Sequence, residues 1–262
     1  MKKAVFKNSF LAAGIAAMIM ACGTEHDLLK DVQTASGARV KFFHAAPDAP
    51  GVALYVNDKK FSAVLTVAPA TPGVITYGSV FPSTDYALVE AGAAKAKLII
   101  PASGATAETT VFSGTVPVEA DKYYSVFATG LAPTYGAVLI QDNMPAFNDR
   151  QVFFRVVNMI PNSTGVTASL AGNAFIEKVE YGKAGNFVPY NVAADFKGGS
   201  IAVNGFTFKV EGPNGVTVTT ASSNITGLTG GRAVTIVVRG VLPTTPTGTT
   251  KYPITVSNYT NR

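Results

Sequence analysis

Residues Arg39 to Val56 read Arg-Val-Lys-Phe-Phe-His-Ala-Ala-Pro-Asp-Ala-Pro-Gly-Val-Ala-Leu-Tyr-Val. Val40, Phe42 and His44 alternate with Lys41 and Phe43, the period of a strand buried on one or both faces. Two prolines and a glycine between Ala45 and Gly51 must then break strand pairing. Val52 to Val56 resumes as a strand, and Asn57-Asp58 signals a turn. Strand, Pro-rich turn, strand is the unit from which the rest of the chain is read.

The composition agrees. Of 262 residues, 47% are hydrophobic and 14% charged, which excludes a disordered chain. Val, Thr, Gly, Pro, Tyr and Phe are abundant, without long Leu/Glu/Lys-rich stretches, and this is an all-β composition. Downstream of the opening unit, strands are predicted at Val64 to Val67, Val74 to Val80, Tyr86 to Glu90, Lys97 to Ile100, Thr109 to Val116, Tyr123 to Thr129 and Ala137 to Gln141. Short strands punctuated by prolines predict a sandwich of two antiparallel sheets. Asp142 to Arg150 is polar, Pro-containing and central, and is the predicted domain boundary. Beyond it, strands are predicted at Val152 to Met159, Val166 to Leu170, Phe175 to Tyr181, Phe187 to Asn191, Ser200 to Val203, Phe206 to Glu211, Val216 to Ala221, Ala233 to Arg239 and Ile254 to Asn258. Asn204-Gly205 predicts a two-residue hairpin, and Gly212 to Gly215 a further turn.

The two halves align with each other. Lys41 to Val52 matches Arg155 to Val166 at an offset of 114, pairing Pro47 with Pro161 and Gly51 with Gly165. Tyr123 to Thr134 matches Ala233 to Thr244 at an offset of 110, pairing Gly130 with Gly240 and Pro133 with Pro243. Tyr77-Gly78 matches Tyr181-Gly182 at an offset of 104. The repeat unit is a whole domain, so the expected architecture is two tandem β-sandwich domains, residues 38–147 and 148–262.

The N-terminal residues are not expected to belong to the fold. Lys2, Lys3 and Lys7 precede an apolar run from Phe10 to Met20, the pattern of a signal peptide over residues 1–21. Ile19-Met20-Ala21-Cys22-Gly23 resembles the bacterial lipobox. That resemblance implies cleavage before Cys22, lipid on its sulfur and new amino terminus, and an outer-membrane location in the cell envelope. Cys22 is the only cysteine, so it has no disulfide partner within the chain. Residues 22–37 read as a flexible polar tether. Glu25 and Asp27, just behind the cysteine, resemble loosely an acidic surface-export signal, which leaves the cell-surface and periplasmic leaflets both open. Loss of the three leader lysines lowers the net charge from +5 to +2, and no basic block of the nucleic-acid-binding kind remains.

Residues Val40 to Asn57 resemble the opening motif of the domain-of-unknown-function 4397 family. Asp121 to Gly130 resembles a later strand of the same family. The resemblance covers Ala38 to about Gln141 and fades in the second half. It implies extracytoplasmic immunoglobulin-like domains, often in lipoproteins, and carries no catalytic residues across.

Candidate chemistry is sparse. His26 lies in the tether, so His44 is the one histidine of a predicted domain and any hydrolase must run through it, with Asp48 as partner. The second copy replaces them by Asn158 and Asn162, which can hold a turn but cannot act as general bases. A structural turn is therefore the expected role. Carboxylate pairs are Glu119 with Asp121, Glu177 with Glu180, and Asp142 with Asp149. Asp142, Asn143 and Asp149 are the candidate ligands for Ca²⁺ at the domain boundary. Tyr77, Phe81, Tyr86, Tyr123, Tyr124 and Tyr135 are the candidate sugar-stacking platform. No cofactor, metal or catalytic residue is assigned. The expected function is a non-catalytic, lipid-anchored binding, adhesion or spacer module, its glycan or protein ligand unidentified. The alternatives are an accessory lipoprotein binding carbohydrate or peptide for uptake and, third, a hydrolase centred on His44.

Overall fold

The computed structural model describes residues 36–62, 73–192, 200–221 and 224–262. The signal segment, Cys22, nearly all of the tether and the strand predicted at Val64 to Val67 lie outside the described residues. The first half carries β1 (Ala38–His44), β2 (Ala53–Val56), β3 (Lys59–Lys60), β4 (Val80–Phe81), β5 (Ala87–Val89), β6 (Gly92–Ile100), β7 (Thr109–Val118), β8 (Tyr123–Leu131) and β9 (Thr134–Gln141). One of its sheets has the order β4-β1-β8-β9, with β5 also paired to β1, and the other the order β3-β2-β6-β7.

The second half carries β10 (Gln151–Met159), β11 (Gly165–Leu170), β12 (Asn173–Val179), β13 (Val188–Asn191), β14 (Ile201–Val203), β15 (Phe206–Glu211), β16 (Thr217–Ala221), β17 (Ile225–Leu228), β18 (Ala233–Arg239) and β19 (Thr255–Thr260). These form the sheets β13-β10-β18-β19 and β12-β11-β15-β16 and the pair β14-β17. The fold is all-β, built from open sheets.

Most ladders are antiparallel, but the two central ones are not. β1 pairs with β8 in parallel, and β10 with β18. The sheets were expected to be antiparallel, and these two ladders are the exceptions. The reason is visible in the side chains: each of these four strands is buried on both faces, as parallel strands usually are. Val40 and Phe42 of β1, with Tyr124, Val126 and Ala128 of β8, enter the core between the two sheets of the first half. Phe154 and Val156 of β10, with Val234, Ile236 and Val238 of β18, enter the core of the second half. The alternate residues Phe43, Phe127, Val157, Met159 and Val237 meet in a third apolar cluster, joined by Tyr259. Period-2 alternation therefore serves two cores at once. The third cluster is the seam at which the two halves pack face to face, and Ser36–Arg262 is one compact unit. Each large apolar side chain buried in the seam contributes roughly 1.5–3 kcal/mol.

The internal repeat extends to backbone detail. Gly130 and Gly240 both take positive φ, 95° and 124°, and a Cβ on either would lie within 2.5 Å of a carbonyl oxygen, that of Thr134 or Pro253. Only glycine fits both requirements. Gly78 donates its N–H to the His44 carbonyl at 2.8 Å, and Gly182 to the Asn158 carbonyl at 2.9 Å.

Other expectations need correction. Of Val74 to Val80 only Val80 lies in a strand, β4: Ile75 makes a single bridge to Val52, and Tyr77-Gly78 turns so that the segment can bond back onto His44. Asn204-Gly205 is not a hairpin, because β14 pairs with β17 and β15 with β11 and β16. Only Gly205 has positive φ, and the chain crosses between sheets so that Val203 and Phe206 reach one core from two sides. β17 was not predicted, since Ile225 to Leu228 is too short and too interrupted by Thr226 and Gly227 to show a period.

Candidate functional site

His44 lies at the end of β1 and is fully buried. Its Nδ1 accepts the Ala46 N–H at 3.3 Å, and its Nε2 faces the Pro50 carbonyl at 3.0 Å. Burial holds its pKa below 6.5, opposed by the Pro50 carbonyl and reinforced by Arg239. Asn158 repeats the arrangement: its Oδ1 accepts the Ile160 N–H at 3.0 Å, and its Nδ2 donates to Ser163 and to the Val179 carbonyl. Asp48 Oδ2 accepts the Ala132 N–H at 2.9 Å, as Asn162 Oδ1 accepts the Leu242 N–H at the same distance. His44 and Asp48 thus bond to different segments, each doing what an asparagine does in the other copy. Both ring nitrogens of His44 are engaged by backbone.

The richest polar cluster lies instead in the seam. Asp142, expected in a solvated linker, is buried. Its Oδ2 accepts Tyr86 Oη at 2.6 Å and Ser125 Oγ at 2.7 Å, while its Oδ1 accepts Nη2 of the buried Arg155. Arg155 Nε donates to Thr235 Oγ1, which donates to Asn261 Oδ1. Asn261 Nδ2 donates to Tyr86 Oη at 2.6 Å, and Tyr259 Oη to Ser125 Oγ at 2.8 Å. Desolvation alone would lower the Arg155 pKa, but Asp142 and then Tyr259 outweigh it and raise it. Burial first, then Asp142, raises Tyr86, and Tyr259 is pushed up to about 12. These phenols stay protonated donors, so the network is a fully bonded ion pair rather than an acid–base device.

Its members come in equivalent pairs. Ser125 and Thr235 take matched seam positions on β8 and β18, and Asp142 and Asn261 bond the backbone at Tyr123 and Ala233, which are also equivalent. Lys41 and Arg155 match on β1 and β10. The Lys41 ammonium lies 5.0 Å from the Tyr86 ring, and the Arg155 guanidinium 4.7 Å from that of Phe187. Contacts across the seam are reciprocal too: Arg239 of the second half covers Tyr77 of the first at 4.2 Å, and Tyr181 of the second meets Thr129 of the first at 3.2 Å. That is the pattern of a two-fold interface built within one chain. Lys41 donates to the carbonyls of Pro82, Thr84 and Asp85, and desolvation lowers its pKa to about 8 against the pull of Asp85 and Asp142.

The other candidates disperse. Asp142 is committed to protein donors, including a cation, while Asp149 is exposed, so Asp142, Asn143 and Asp149 do not converge as a Ca²⁺ site. Among the described residues, no group of three His, Cys, Asp or Glu side chains could hold a metal ion. Glu119, Asp121, Glu177 and Glu180 are exposed, and Asp121 pairs with Arg39. The six aromatics form no platform. Tyr77 packs on Arg239 in the seam, Phe81 on Phe61 against the first core, and Tyr124 is buried in that core. Tyr86 and Tyr123 meet edge to face, 5.0 Å apart, beside a cavity of about 440 Å³ that Arg39, Met144 and Arg262 also line. Sequence reasoning missed the seam network. A basic residue at the matched positions 41 and 155, inside an apolar strand, was the available signal.

The family model "Domain of unknown function (DUF4397)" matches residues 38–168. This chain belongs to that family. The match runs through the whole first half, past Asp142, and into β10 and β11 of the second. A search of the curated proteins finds no match to the chain. No helix among the described residues is long and apolar enough to cross a membrane.

Proposed function

We propose that this family member is a non-catalytic, lipid-anchored protein of the outer membrane, in which two tandem immunoglobulin-like sandwiches act as one rigid binding, adhesion or spacer module. The observation that carries this reading is the seam. Two cores that could have been joined by a free linker are instead locked by an apolar cluster and a buried ion-pair network, which suits a body that must hold its shape. The side chains that might have done chemistry are occupied in holding the fold: His44 and Asp48 close turns, and Asp142 bonds Arg155. The sugar-binding alternative loses its main support with the scattering of the aromatics.

Fractionation tests the anchor. The wild-type protein is expected in the membrane fraction, and Cys22→Ala in the soluble fraction. Continued sedimentation of Cys22→Ala with membranes would refute lipid anchoring, and protease treatment of whole cells would assign the leaflet.

A further inference from the structure

Two large apolar side chains are exposed among the described residues, Leu88 at 47% and Phe147 at 70%. Both lie at the same end of the molecule. Leu88 sits opposite Arg39 at the start of β1. Phe147 packs against Gly231, just before β18, with the Arg262 guanidinium 5.8 Å from its ring. Arg39 and Arg262 line one cavity together with Tyr123, Met144 and the polar Asp85 and Asn261, and Leu88 and Phe147 flank it, beside Arg39 and Arg262 respectively. Of the cations among them, Arg39 bonds Asp121, and Arg262 bonds the carbonyls of Gly231 and Pro145 while its buried Nη2 has no partner.

This end is also where the chain arrives. Ser36 and Gly37 lead straight into β1, and Cys22 is fourteen residues before Ser36. Fourteen residues reach at most ~50 Å when fully extended. The chain therefore enters the folded body from the side of Cys22 at the end bearing Leu88 and Phe147. Tyrosines and exposed apolar side chains are the groups that settle at a membrane–water boundary.

We propose that this end docks on the bilayer to which Cys22 is anchored, with Phe147 and Leu88 seated in the headgroup–acyl boundary and Tyr123 and Met144 between them. The inference rests on the lipidation reading. The chain has no tryptophan, so Phe147→Trp provides a single fluorophore at the proposed contact, Leu88→Trp a second, and Thr134→Trp a control at the far end, in the exposed β8–β9 turn. Each lipidated variant is reconstituted on phosphatidylethanolamine–phosphatidylglycerol vesicles with or without brominated acyl chains, and flotation verifies anchoring separately. A side chain seated ~5–10 Å into the boundary is expected to give blue-shifted emission that brominated lipid quenches by about half or more, with Thr134→Trp unaffected. Unquenched emission from Phe147→Trp and Leu88→Trp on floating protein would overturn the docking, as would equal quenching of all three. Failure to float would overturn the anchor itself.

Discussion

The two halves answer the same structural demand differently at one pair of positions. The first half places Lys41 and Asp142 where the second places Arg155 and Asn261. Across the seam, Arg155 faces Asp142 and forms the buried ion pair. Asn261, at the position matching Asp142, is a neutral amide, and Lys41 donates to three carbonyls of its own half. The lesson concerns burial of charge. A guanidinium and a carboxylate satisfy each other at a buried seam. A lone ammonium must be surrounded by backbone oxygen, and even then desolvation holds its pKa down to about 8. An interface that is two-fold in shape is therefore one-sided in charge.

The strongest way to break this comparison is to remove the cations one at a time. Arg155→Met strands the Asp142 carboxylate in the seam and is expected to cost ~3–5 kcal/mol in urea-induced unfolding. Lys41→Met leaves only carbonyls unpaired, within one half, and should cost ~1–3 kcal/mol. Equal losses would show that the seam charge is not one-sided. The pair Asp142→Asn with Arg155→Met, which makes the first half resemble the second, should recover a measurable part of the loss.

His44 and Asn158 offer a gentler test. His44→Asn copies the solution of the second half and should cost under ~1 kcal/mol, whereas His44→Ala leaves the Ala46 N–H unpaired and should cost ~1–3 kcal/mol. If His44→Asn proved as damaging as His44→Ala, the equivalence of the two turns would fail. Acid sharpens the same point. The folded pKa of His44 lies below its ordinary 6.5, so near pH 7.5 it is neutral in both states. As pH falls through 6.5, the unfolded chain takes up a proton that the fold resists, and stability declines by up to ~1.4 kcal/mol per pH unit. His44→Asn should lack that decline between pH 7 and 5. Stability curves that run parallel for the two proteins would disprove it. Arg239→Thr copies Thr129 and removes the cation over Tyr77. A loss of ~0.5–2 kcal/mol is anticipated, read as a shift in thermal midpoint.

Much of the fold was legible in the chain. The Pro47/Pro161 and Gly51/Gly165 matches located the repeated turn, and Asn158 and Asn162 already argued that His44 and Asp48 were structural. The Gly130/Gly240 match had a steric cause that was not visible in the residues. The seam was not legible, for a specific reason. Alternation in Val40 to His44 fits burial on one or both faces, but does not say against what. Nothing in the alternation said that Lys41 and Arg155 would face a buried seam, and Asp142 looked like the first residue of a linker. Local pattern also misjudged Asn204-Gly205, because its hairpin preference yields when the strands on either side belong to different sheets.

The chain by itself determined the all-β composition, the duplicated strand–turn–strand unit and the turn residues, because these depend on period, glycine and proline. Only the tertiary structure decided that Phe43 meets Tyr259, that Asp142 meets Arg155, and that the central ladders run parallel. Those contacts join residues far apart in sequence, and their energy exists only once two sheets exclude water from the space between them.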